Sequence, residues 1–75
     1  MSHANPNEFI LVTACYHVEK ARLEIQQAKL TIKQVVGIPE EDAAQAINLH
    51  EEFNVAVAHL DLVIENIQFL KDQII

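Results

Sequence analysis

Apolar residues recur along the chain at intervals of three and four. In the second half they fall at Leu49, Phe53, Ala56, Leu60, Val63, Ile67, Leu70 and Ile74. Only a helix lays positions spaced in this way along one line, and the alternation of four and three is a heptad seam. The first half carries a seam of the same period at Leu11, Ala14, Val18, Ala21, Ile25, Ala28, Ile32 and Val35. One of its rows is bulky (Leu11, Val18, Ile25, Ile32) and the other mostly small (Ala14, Ala21, Ala28). The pattern therefore predicts two long helices whose seams pack on each other within one chain, with the alanine row allowing close approach.

Local signals set the bounds. Met1 to Ala4 reads as a frayed end. Asn5 suits an N-cap, Pro6 the first helical position and Glu8 the carboxylate of a capping box, so helix 1 is predicted over about 6–36. Gly37-Ile38-Pro39 reads as a tight reversal, because Gly fits the left-handed residue past a helix end and Pro the first turn of the next helix. Helix 2 is predicted over about 39–73, its N-terminal dipole favouring Glu40, Glu41 and Asp42. So short a connection makes the helices antiparallel. Pairing Ile32 with Ala46 across the turn sets Leu11 against Ile67. The last turn of helix 2, with Leu70, Ile74 and Ile75, then lies beyond the start of helix 1 and lacks intrachain cover.

A two-helix hairpin needs one apolar stripe per helix, and each helix here has a second. Phe9, Tyr16, Leu23 and Leu30 recur every seven residues on helix 1, and Val55, Leu62 and Phe69 do so on helix 2. Ordered apolar patches mark interaction sites more often than chance exposure does. These seven residues, with Leu70 and Ile74, are the predicted contact surface between chains, and the expected assembly is a homodimer or higher oligomer, most simply a dimeric four-helix bundle.

Composition fits this. The hydrophobic fraction is 51% with a single Gly and two Pro, which is much apolar surface for a domain too short to bury a large core. The net charge is −6 and unevenly placed: three acids face four bases up to Gly37, whereas eight acids face Lys71 alone beyond it. A phosphate-backbone partner wants a basic face, so no nucleic-acid ligand is expected. The longest apolar run, Phe9 to Val12, is too short to span a bilayer, and no basic-then-apolar leader opens the chain. A cytoplasmic protein without a membrane partner is expected. Cys15 is the only cysteine, which rules out an internal disulfide, and is read as a small buried hydrophobe.

Chemistry finds little footing. The antiparallel alignment sets His17 beside His59 and Glu24 beside Glu52, the one constellation with metal-ligand residue types. Glu24 lies seven residues from His17, about 10 Å along a helix, too far for one mononuclear site. Glu-x-x-His and His-x-x-x-His pairs are absent from the sequence, so no metal or other cofactor is expected. There is no Gly-rich phosphate loop and no nucleophile motif, and Cys15 and His17 point in different directions on a helix, so the chain does not read as an enzyme.

In size, in its two long helices and in the Gly37-Ile38-Pro39 turn, the chain resembles two kinds of small hairpin: the Rop-type dimeric four-helix bundles of plasmid copy control, and the hairpin co-chaperones of type III secretion needle subunits. The first resemblance implies RNA binding, which the acidic balance opposes. The sequence thus predicts an all-α antiparallel hairpin serving as a protein–protein interaction module: an adaptor, co-chaperone or inhibitor of a larger protein. The alternatives are a ligand- or metal-carrying bundle and an acidic inhibitor occupying a nucleic-acid-binding site.

Overall fold

The computed structural model describes residues 5–74. They form two long helices, α1 (Pro6–Ile32) and α2 (Ala43–Ile74), joined by residues 33–42 with one 3-10 turn at Glu40–Asp42. The predicted frayed end, Met1 to Ala4, and the terminal Ile75 lie outside the described residues.

α1 begins as its sequence dictates. Asn5 is extended (φ −70°, ψ 120°), and its side-chain oxygen accepts from the Asn7 amide at 2.9 Å, with Pro6 opening the helix. The Glu8 and Phe9 amides donate to the Asn5 carbonyl at 3.0 and 3.3 Å. Amides that lack an intrahelical partner are thereby satisfied. Asn5→Ala is expected to cost about 1 kcal/mol, read as a lowered denaturant midpoint with unchanged slope.

The connection is longer than the sequence reading allowed. α1 stops at Ile32 rather than near residue 36, and regular α2 starts at Ala43 rather than at Pro39. Bonds from the Gln34 amide to Thr31 O (3.0 Å) and from the Val35 amide to Ile32 O (3.1 Å) tighten the end of α1. Beyond it, Val35 and Val36 are β-branched, and Pro39 disfavours a helical Ile38. Gly37 does adopt the left-handed conformation, φ +74°, but inside the connection rather than against the helix end. Pro39 itself is extended (ψ 146°) and caps the 3-10 turn, where the Asp42 amide donates to its carbonyl at 2.9 Å. Nothing lies within 4 Å of where a Gly37 Cβ would stand, so Gly37→Ala meets only backbone strain. About 1 kcal/mol of destabilisation is expected from that strain, measurable by thermal unfolding.

α1 and α2 lie side by side and antiparallel. Leu11 and Cys15 share a cleft with Ile67 and Lys71, and Ile32 and Val35 share one with Ala46 and His50, so the facing residues are displaced by about one helical turn from the expected pairing of Ile32 with Ala46. Arg22 pairs with Asp61, and the Lys29 ammonium donates to the Asn54 side-chain oxygen across the helices. The result is a slab, 64 × 17 × 10 Å: two helices wide and one helix thick.

The seam between the helices is rotated from the expected one. Half-buried residues on α1 include Leu11, Cys15, Val18, Arg22, Ile25 and Lys29; on α2 they include Ala46, His50, Phe53, Val57, Leu60, Ile64, Ile67 and Lys71. The spacing is again four and three, so the period is kept. The second row, however, is Cys15, Arg22 and Lys29; of the alanine row Ala14 is half-buried but Ala21 and Ala28 are exposed, and on α2 Ala56 is half-buried. Arg and Lys stems can cover apolar surface while their charged ends reach water, and here they do so along one edge. Close packing through the alanine row is therefore not the intrachain contact. With the seam centred between its two rows, the row of Ala14, Ala21 and Ala28 lies roughly 80° to one side of it, as does the matching row of Leu49, Val63 and Leu70 on α2.

Candidate functional site

No residue is buried among those described. The functional question is therefore which exposed faces the slab presents and what borders them.

The stripe Phe9, Tyr16, Leu23 and Leu30 is exposed, Phe9 to 72%. It lies roughly 120° from the seam on α1, on the side of the Arg22–Asp61 pair. Leu23 shares a shallow cleft with Arg22, Asp61 and Ile64, and Tyr16 shares one with Gln68 and Lys71. Val55, Leu62 and Phe69 are exposed too, Phe69 to 63%. They lie roughly 180° from the seam, along the outer edge of α2. The structure thus leaves both predicted stripes open to solvent but does not join them into one face, because the first lies over α1 and the second points away from it.

Leu70 is exposed to 51% and Ile74 to 37%, but Lys71 between them is half-buried in the cleft of Leu11 and Cys15, so the last turn of α2 lies beside the first turns of α1 rather than beyond them. Leu70 belongs to a third apolar surface that the sequence reading assigned to the intrachain seam. Ala14, Ala21 and Ala28 from α1, with Val35 from the connection and Leu49, Ala56, Val63 and Leu70 from α2, line the side of the slab opposite the Arg22–Asp61 edge. Val63 is 42% exposed there. At the turn end this face opens into a cavity of about 470 Å³ between Ile32, Val35, Ile38, Ala46 and Leu49, a wedge left because α1 stops before α2 begins. The signal for this face was present in the sequence as the second row of each seam.

The seam rotation also moves the polar groups. His17 and Glu24 on α1, and Glu52 and His59 on α2, fall roughly 140° from the seam, so they border the third face along its two outer edges instead of meeting each other. His17 is exposed, its ring edge-on to Tyr16 with centroids 5.6 Å apart. His59 lines a depression formed by α2 residues alone. Among the described residues, no three His, Cys, Asp or Glu side chains gather as a metal site would need.

Cys15 is half-buried in the seam rather than buried, and its thiol donates to a Glu19 carboxylate oxygen at 3.4 Å. Burial first, then that hydrogen bond and the charge of Glu19, push its pKa up, with Lys71 opposing. The thiolate is the reactive form, so Cys15 is expected to alkylate at neutral pH more slowly than a free thiol, with Glu19→Gln speeding the reaction. No helix among the described residues is long and apolar enough to cross a membrane. Comparison with known proteins gave no match to any family model, curated protein or solved structure.

Proposed function

We propose that this chain is a small protein–protein interaction module, an adaptor, co-chaperone or inhibitor of a larger protein, acting through apolar helical faces and not through catalysis or a cofactor. The observation that carries the proposal is the absence of any buried residue among those described in a chain that is half apolar. Its accessible surface is 6042 Å², against about 4,700 Å² for a compact monomer of 8.5 kDa. Its radius of gyration is 17.9 Å, against about 11 Å for a compact chain of this length. The excess surface exceeds the roughly 800 Å² that each partner contributes to a standard interface.

Part of that surface is covered by self-association into a dimeric four-helix bundle, since one layer of helices has nothing to bury its face against and a second layer supplies it. The Phe9–Tyr16–Leu23–Leu30 and Val55–Leu62–Phe69 stripes, with Leu70 and Ile74, are the contact surfaces proposed for protein partners, in the cytoplasm. Sedimentation equilibrium at micromolar concentration tests the reading. A species of at least twice the chain mass is expected, and a folded monomer would overturn it.

A further inference from the structure

We infer that a second copy covers the face of Ala14, Ala21, Ala28, Ala56 and Val63, related by a two-fold axis that runs along the helices, so that each α1 lies on the other copy's α2 and both turns stand at one end. This rests on the self-association proposed above and adds the face, the axis and the polarity.

The cross-helix pairs set the levels. Arg22 pairs with Asp61 and Lys29 with Asn54, and between antiparallel helices each step forward on α1 is a step back on α2. Ala21 is therefore level with Leu62, Ala28 with Val55 and Glu24 with His59. The face has the required size. α1 is about 40 Å long at 1.5 Å per residue, and the slab is 17 Å wide. That footprint approaches the area a partner in a stable interface contributes. The row on its α1 side is Ala14, Ala21 and Ala28, whose methyl groups hold no second helix away.

Two two-fold arrangements give antiparallel neighbours throughout. With the axis along the helices, symmetry keeps every residue at its own height, so a residue of α1 meets the α2 residue level with it in the other copy. Glu24 then meets His59, which can donate a hydrogen bond to a carboxylate in either of its protonation states, and His17 meets Asn66, which can accept or donate one. Ala14, Ala21 and Ala28 come within about one residue, 1.5 Å, of the level of the other copy's Leu70, Val63 and Ala56. With the axis across the helices, α1 lies on the second α1 and α2 on the second α2. Glu24 meets a histidine there too, His17, when the axis passes midway between them, so the edges do not choose.

The rows do. An axis across the helices stacks the alanine row on itself at one side, and the row of Leu49, Val63 and Leu70 on itself at the other. Interaxial spacing runs from about 8 to 10 Å with the size of the side chains in contact, so one side closes while the other is propped open. The axis along the helices sets the small row on the larger one at both sides, and the two contacts are identical by symmetry. It gathers Glu40, Glu41 and Asp42 of both copies at one end, but these are exposed, and repulsion between charges in solvent is screened by salt.

Cysteine cross-linking of the full chain tests the arrangement. In a Cys15→Ser background, chains carrying Ala28→Cys and chains carrying Ala56→Cys, refolded together, are expected to form a disulfide-linked dimer on mild oxidation, because the two positions face each other between copies within disulfide reach. Either variant alone is expected to link at least tenfold more slowly, since each alanine stands across the bundle from its own counterpart. Linking no faster in the mixture than alone would overturn the pairing, and faster linking of Ala21→Cys chains alone would overturn the axis in favour of one across the helices. Faster linking through Leu23→Cys, on the opposite side of the slab, would overturn the face. All of these are read on protein that sediments as a dimer, so they are distinct from failure of the self-association itself.

Discussion

Hundredfold dilution is expected to lower the thermal unfolding midpoint by about 5–11 °C. The reason is the missing core. With no buried residue among those described, the seam between α1 and α2 gains only part of the roughly 1.5–3 kcal/mol that full burial of each large apolar side chain would give. A two-helix unit of this kind is marginal, so folding and association are expected to be one transition from folded dimer to unfolded chains. Mass action then ties stability to concentration. A hundredfold dilution removes about 2.7 kcal/mol per dimer, and a folded unit of about 150 residues shifts by roughly 2–4 °C per kcal/mol. Circular dichroism melts across that range of concentrations are the measurement. A midpoint that does not move, on a chain that melts cooperatively, would mean that the single hairpin is stable and its exposed faces are not needed for folding.

The helices and their antiparallel order were legible in the sequence, because a heptad period fixes which line of residues faces a neighbour. The register was not, because it was counted from a short turn, whereas residues 33–42 form a longer connection and Arg22 lies beside Asp61, about one turn from the expected pairing. What the period does not fix is the row that completes the seam. Rows on either side of Leu11, Val18 and Ile25 have the same spacing. The alanine row looked the better choice because it is apolar, whereas the chain buries Cys15, Arg22 and Lys29 halfway and leaves Ala21 and Ala28 open. An apolar row that a two-helix contact does not need is the mark of a helix with two neighbours. The connection was misjudged for a related reason. Gly37 and Pro39 do mark a reversal, but the β-branched Val35 and Val36 ahead of it carry no packing that would hold them in a helix.

Lysine pairs on different faces separate the surface used for self-association from those left for other partners. Leu49→Lys with Val63→Lys places two ammonium groups per chain on the apolar face that also carries Ala21, Ala28 and Ala56, which a second layer of helices would cover. An unpaired buried charge costs several kcal/mol, reduced here because lysine can extend toward an edge. A loss of about 5–8 kcal/mol per dimer remains, which raises the dissociation constant by three orders of magnitude or more. Leu23→Lys with Leu62→Lys adds the same charge to the two outer stripes and is expected to leave the dimer within about tenfold of wild type, as surface substitutions do. Sedimentation equilibrium with circular dichroism reads both. A Leu49/Val63 pair that leaves the dimer intact would refute the choice of face, and dissociation by the Leu23/Leu62 pair alone would assign self-association to the outer stripes instead.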